Sequence, residues 1–243
     1  AAALATTVPL AKFVHFLLGQ LHDECKWATM SPNAGQYEDS PMTRIFGGLL
    51  RHSWTQSWDS GLAPPLQASI EPFLVLHLDF ASQSASSLSK ALEAQLLTPD
   101  DTNFFRLPPY LLIHLQRFRL VDGVPTKIAR HCKVDLRLGL EESANCALRT
   151  VPYELVSAIS HYGELPESGS YKALVRHTRA TPQGSGAAGL AGASDWWLFD
   201  DATVRAKSME ELESVLMCEG YHVCFLLYRR EDIKTVNMRP HAF

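Results

Sequence analysis

The sequence has no CxxC pair, no GxSxG motif and no apolar run approaching the roughly 18 residues of a membrane span. The first absence removes the usual framework of structural zinc, the second a serine-hydrolase elbow, the third a helical membrane anchor. Cysteine is scarce and odd in number, with five residues at 25, 132, 146, 218 and 224. A reducing compartment is expected in place of a disulfide framework. Ala1 to Leu10 carries no basic n-region, so no signal peptide is expected and the chain reads as cytosolic or nuclear. Positive charge is also short: 22 Lys and Arg against 26 Asp and Glu give a net charge of -4. That balance excludes binding of a nucleic-acid backbone by bulk electrostatics. Arg117 with Arg119, and Arg229 with Arg230, read as small solvated basic spots.

What is present is enough apolar sequence for a real core: 46% of the 243 residues are hydrophobic. Val8 to Trp27 reads as a helix, with Phe13, Phe16, Leu17 and Leu21 at helical spacing and Pro9 suited to a first turn. Trp27 to Ser40 and Asp59 to Pro65 have loop composition, and Thr43 to Trp54 reads as strand-like. Phe73 to Phe80 is a short apolar strand. Ser87 to Leu97 is helical, with Leu88, Ala91, Leu92 and Leu96 on one face. Leu111 to Arg119 alternates as a strand, and Lys133 to Leu138 alternates with Val134, Leu136 and Leu138 inward. Tyr153 to Ser160 and Tyr171 to His177 read as two strands joined by a Gly/Pro/Ser loop. A flexible loop, 179–195, precedes a short strand, Trp196 to Phe199. Ser208 with Glu211 forms a capping-box pattern ahead of a helix, and Tyr221 to Tyr228 is a last buried strand. Helices first and strands afterwards give α+β with a largely antiparallel sheet.

Chemistry is sparse on these residues alone. His131 beside Cys132, and His22 three residues before Cys25, lack the second ligand pair that tetrahedral zinc requires. Neither a metal nor another cofactor is expected. His131 reads as a surface histidine, and Cys25, Cys132, Cys218 and Cys224 as small buried hydrophobes. Asp200 and Asp201 follow a strand, a place where an acid either forms a polar turn or orients a histidine. Spacing alone leaves both open.

Five segments, in order, resemble the ubiquitin-specific protease family. Leu107 to Phe118 is similar to its P-x-x-L-x-I-x-L-K-R-F strand, with Gln116 in place of the lysine. Lys127-Ile128 and Val134-Asp135-Leu136 resemble its K-I…V-x-F-P stretch. Tyr153 to Gly163 resembles Y-x-L-x-A-V-x-x-H-x-G, Trp196 to Val204 resembles W-x-x-F-D-D-x-x-V, and Gly220 to Arg230 resembles the terminal A-Y-x-L-x-Y-x-R strand. Phe13 to Glu24 resembles a further helix, with Lys12 where the family has glutamate.

The resemblance implies a papain-like α+β fold with a palm and finger sheet and flanking helices. The domain is expected over 8–230, followed by a tail, 231–243. In the family's G-H-Y-x-A-Y segment this chain reads Gly169-Ser170-Tyr171-Lys172-Ala173-Leu174, so Ser170 stands at the histidine position. Asp200 stands at the acid position. The G-N-T-C-Y nucleophile box is absent from the sequence, as expected of a C-terminal portion. No functional catalytic residue is therefore expected, and the triad positions Ser170 and Asp200 are degenerate. A serine hydroxyl cannot deprotonate a cysteine near neutral pH. His161 matches a non-catalytic family histidine, and His161, Tyr171 and Trp197 are the expected cleft residues.

His161 to Tyr171 further resembles the H-x-G-x-x-x-E-G-S-Y loop of an inactive subfamily, the tri-snRNP-associated splicing factors, with Ser168 inserted. Phe46-Gly47-Gly48 resembles its zinc-free F-x-G segment, whereas Phe199-Asp200-Asp201 departs from its degenerate turn. This implies a nuclear pseudoenzyme that scaffolds tri-snRNP proteins of the spliceosome. The alternatives are an active deubiquitinase with a rearranged triad and an inactive reader of ubiquitin or a ubiquitin-like protein. A half-fold of this kind is expected to leave uncovered the face carrying Leu17, Leu21 and the Leu111 strand.

Overall fold

Strands drawn from Gly48 to Arg230 build one branched sheet, and helices close over its faces. The computed structural model describes residues 9–26, 39–55, 66–80, 85–96, 102–144, 147–166, 168–176 and 196–233. Residues 27–38 of the expected Trp27–Ser40 loop, the Asp59–Pro65 loop, the 179–195 loop and most of the tail fall outside them.

The organising strand is β9 (Ala147–Tyr162), flanked by β8 (Arg137–Ala144), β10 (Ser170–Arg176) and β13 (Tyr221–Arg230). β8 pairs with residues 147–154, β10 with 157–162, and β13 with 153–162. A strand has two edges, so β8 and β10 share the one opposite β13, and the sheet forks between them. Glu154 stands at the fork and holds it closed. Its carboxylate accepts from Arg176 on β10 and, at 3.0 Å, from Arg229 Nε on β13.

One branch runs through β8 to β4 (Asn103–Arg106), β1 (Gly48–Thr55) and β2 (Leu66–Phe73). The other runs from β10 to β11 (Trp196–Asp200) and β12 (Thr203–Lys207). Behind β13 lie β5 (Tyr110–Leu115) and then β3 (Leu76–Leu78), which pairs with β5 in parallel. The sheet is mixed but mainly antiparallel, and the α+β, papain-like expectation holds.

The main core lies on one face of this sheet. Leu111, Ile113 and Leu115 of β5 are fully buried beneath Leu88, Ala91 and Leu92 of α3 (Leu88–Leu96) and Leu212 and Leu216 of α4 (Leu212–Leu216). Truncating any one of these leucines costs about 2–5 kcal/mol. The opposite face carries a smaller cluster in which α1 (Leu10–Glu24) sets Leu18 against Val75 and Phe225.

Several expectations are corrected. The Leu111 strand is covered by the chain's own helices. The face left open is that of α1, where Phe13, Phe16, Leu17 and Leu21 are 50, 65, 42 and 36% exposed. Thr43 to Phe46 is not strand: α2 (Pro41–Phe46) forms because Ser40 and Thr43 make a reciprocal capping box and Pro41 presets the first turn. The β1 strand begins only at Gly48. Val134 to Leu136 is irregular, because Asp135 turns its carboxylate to the Ser89 N–H at 3.2 Å; Leu136 is half-exposed. The strand expected to run to Arg119 ends at Leu115. A separate hairpin follows, β6 (Phe118–Val121) and β7 (Val124–Lys127), turned by Asp122 and Gly123 at positive φ.

Two basic residues read as solvated are buried. Arg117 donates to the Ile128 and Arg130 carbonyls at 3.1 and 2.6 Å, and Arg230 to the Leu107 carbonyl at 3.1 Å. Cys25, read as buried, is exposed. The described cysteines are free thiols, and burial raises Cys132 to about 11 and Cys224 to about 12.

Candidate functional site

The start of β10 carries the residues of interest, and strand alternation sorts them onto two faces. Ser170 and Lys172 point to one face, Tyr171 and Ala173 to the other. Register then supplies neighbours. Ser170 lies opposite Tyr162, which lies opposite Tyr221 on β13, and Lys172 lies opposite Asp200 on β11.

On the first face, Ser170 Oγ is 2.9 Å from the Tyr221 hydroxyl. The Asp200 carboxylate is 3.3 Å from Lys172 Nζ, and that ammonium stands 3.9 Å from the centre of the Tyr221 ring. Burial disfavours the Lys172 charge, but the Asp200 hydrogen bond, the Tyr221 hydroxyl and the Asp200 charge outweigh it and raise its pKa above the ordinary value. Four side chains thus satisfy one another. The serine hydroxyl has a phenol for a partner, and the acid has an ammonium.

On the second face, His161 and Tyr171 meet with ring centres 4.8 Å apart, and Phe118 meets His161 edge-on at 5.9 Å. His161 is 3% exposed. Its Nε2 donates to the Ser168 carbonyl at 2.9 Å, which fixes the tautomer and leaves Nδ1 buried without a hydrogen bond. Burial holds its pKa below the ordinary histidine range; the Ser168 bond opposes this, and the Lys127 charge adds to it. Lys127 Nζ donates to the carbonyls of His161 and Gly163 at 3.1 and 2.7 Å and ties the β6–β7 hairpin to the neck of the loop between β9 and β10.

The other side of that neck is Gly169, at φ +114, where an added Cβ would stand 1.8 Å from the Tyr162 carbonyl oxygen. Gly169→Ala is expected to force the neck apart at a cost of about 1–3 kcal/mol. Faster amide exchange at 161–171, with the β5 core still protected, checks this.

The structure therefore brings together Ser170 with Asp200, through Tyr221 and Lys172, and His161 with Tyr171. It does not bring Trp197 to them: Trp197 pairs with Val175, well along β10. Sequence reasoning gave no role to Lys172, Tyr221 or Lys127. The spacing of Ser170 and Lys172 already places both on one face. Tyr221 and Asp200 become their neighbours only once the register across a long intervening segment is known. Among the described residues, no group of three or more His, Cys, Asp or Glu side chains is placed to hold a metal ion.

Sheet order, flanking helices and the β10 site define the class: a papain-like α+β fold of the ubiquitin-specific protease type. The family model described as ubiquitin carboxyl-terminal hydrolase matches residues 10–228, and the chain belongs to that family. Curated relatives include ubiquitin carboxyl-terminal hydrolase 24 of Arabidopsis thaliana, 23% identical over 79% of this chain and 41% of its own length. Another is ubiquitin hydrolase B of Dictyostelium discoideum, 24% identical over 84% of this chain and 44% of its own length. The chain thus spans less than half of each. Among solved structures, the Ubp8–Sgf11–Sgf73–Sus1 SAGA DUB module matches with a TM-score of 0.64 at 23% identity, over 93% of this chain and 49% of the other. The same module with Ubp8(C146A), bound to monoubiquitin, matches with a TM-score of 0.64 at 21% identity, over 93% of this chain and 48% of the other.

Proposed function

We propose that this chain is part of a ubiquitin carboxyl-terminal hydrolase family member that holds a protein partner and does not hydrolyse it. The observation that carries this reading is the set of partners at the triad positions. Ser170 stands where the family has its histidine and is bonded to Tyr221, while Asp200 is paired with Lys172. A general base must reach the proton it removes with a pKa near the working pH, and a serine hydroxyl fails that requirement. His161 points from the face opposite Ser170 and is held by the Ser168 carbonyl, so a histidine rearranged into the site would have to leave a buried position.

The partner reading extends to tri-snRNP proteins in the nucleus, on the strength of the His161–Tyr171 loop and its resemblance to the splicing subfamily. A second reading, an inactive reader of ubiquitin or a ubiquitin-like protein, is favoured by the likeness to the monoubiquitin-bound module.

The test uses the full-length protein. Incubation with a ubiquitin-derived electrophilic probe is expected to give no covalent adduct, and affinity purification from nuclear extract is expected to recover tri-snRNP proteins. Clear labelling by the probe would overturn the non-hydrolysing reading. Recovery of no splicing protein, together with micromolar binding of free ubiquitin, would replace the spliceosomal assignment with the ubiquitin-reader one.

A further inference from the structure

A groove of about 410 Å³ is lined by none of the residues at the start of β10. One wall is the irregular segment 133–136 leading into β8. The other is the 3-10 turn Met209–Glu211 continuing into α4.

Both walls are fixed before anything binds. The first is pinned by the Tyr228 hydroxyl donating to the Asp135 carbonyl at 2.7 Å, the Leu155 N–H donating to the Leu136 carbonyl at 2.9 Å, and the Ser89 bond to the Asp135 carboxylate. The second is pinned by the Ser208 capping box, with the Ser208 N–H donating to Glu211 at 2.9 Å and Lys207 bonding the same carboxylate at 2.7 Å. A groove whose walls do not have to be ordered on binding avoids much of the entropic cost of association.

The lining between these walls is mixed, with charged residues beside exposed apolar ones. Leu136, Met209 and Met217 are 36, 57 and 40% exposed, and methionine adapts its shape to different partners. The charge is lopsided. Glu211 is consumed by Lys207 and Ser208, and Asp135 by Ser89. Glu210 and Glu213 have no ion pair among the described residues and face a single lining cation, Lys133.

We propose that this groove docks a basic amphipathic segment of a partner protein. Apolar side chains of leucine or methionine size would sit over Leu136, Met209 and Met217, and flanking lysines or arginines would meet Glu210 and Glu213. A helix presenting one apolar stripe with basic flanks has this chemistry. Neither Ser170 nor Asp200 lines this surface, so it supplies partner selection whether or not the cleft is catalytic.

The test is a titration of the full chain, labelled at its methionine methyls, with two synthetic peptides of about 14 residues. Each carries one leucine stripe; one has lysine and arginine flanks, the other glutamate flanks. The basic peptide is expected to shift the Met209 and Met217 methyl resonances. The double variant Glu210→Lys, Glu213→Lys is expected to weaken its binding by about tenfold or more, with only a small drop in the thermal melt, because both positions are exposed first-turn acids. Equal binding of the acidic peptide, or shifts confined to other methionines, would overturn the proposal. So would binding that appears only after residues 234–243 are deleted, which would assign the groove to the chain's own end.

Discussion

Glu142→Ala is expected to lower the unfolding free energy by about 3–5 kcal/mol, the range for removing one partner of a buried charged pair. Glu142 is 5% exposed. Its Oε1 accepts the Leu107 N–H at 2.7 Å and lies 3.7 Å from Arg230 Nη1, and its Oε2 accepts from Arg149 Nη2 at 2.8 Å. Arg230 completes the group by donating to the Leu107 carbonyl at 3.1 Å and to Asp232 at 2.6 and 3.0 Å. Alanine would leave a guanidinium and a backbone N–H buried with fewer partners. The position is also a joint, because β4 meets β8 at the pairing of Phe104 with Glu142. Losing the carboxylate should therefore loosen the β1, β2 and β4 branch first. Glu142→Gln keeps an acceptor for Leu107 and should cost less, about 1–2 kcal/mol. Urea unfolding measures the totals, and amide exchange over residues 48–55 and 102–107 tests the location. A loss below about 1 kcal/mol for Glu142→Ala would show that the buried network carries little stability.

Such buried networks are the part of this molecule least legible in its sequence. Arg117 and Arg230 each stand beside another arginine, and a local reading takes such pairs for solvated spots. Both are buried because backbone carbonyls far away in the chain, of Val223 and Leu107, receive their N–H groups. The same limit separates what was legible in the candidate site from what was not. Ser170 and Asp200 are recognisable by resemblance because each lies in a contiguous motif. Their partners Tyr221 and Lys172 are fixed by register between β9, β10, β11 and β13, which no local pattern reports.

Within the fold, the legible elements are those with a strong period or a cap: β5, the second half of β9, α3, and the Ser208–Glu211 capping box. The 3-10 turn behind that box is followed by α4, as the pattern implies. The missed elements lack such signals. α2 is six residues long, too short for helical periodicity to register. β12 is exposed along nearly its whole length and shows no buried alternation. The β6–β7 hairpin puts Leu120 and Val124 outward, against the usual pattern.

The second large effect is expected with acid, at the seat of α1. His15 of α1 stacks on His77 of β3 with ring centres 4.7 Å apart, and His114 of β5 stacks on Phe225 of β13 at 4.6 Å. Between them, His77 Nδ1 and His114 Nδ1 are 3.0 Å apart, so one ring donates a single proton to the lone pair of the other. A second proton would set two N–H groups against each other. Burial, then the His15 charge, holds the His77 pKa below the ordinary value. Burial, then the His77 and His15 charges, brings His114 down to about 3. Both folded-state pKa values are depressed, so the unfolded chain takes up protons first. Stability is complete above about pH 6.5 and is lost as pH falls from there toward about 3. Because His77 and His114 are only partly buried, the loss between pH 7 and 4 is expected to be about 2–3 kcal/mol. The α1 face should loosen before the β5 core. His114→Phe keeps the stack on Phe225 and removes the titration, so the variant should lose less stability than the parent over the same interval. Urea unfolding at both pH values, with the imidazole resonances followed by NMR, gives the comparison. Equal pH dependence in parent and variant would place the acid sensitivity elsewhere in the fold.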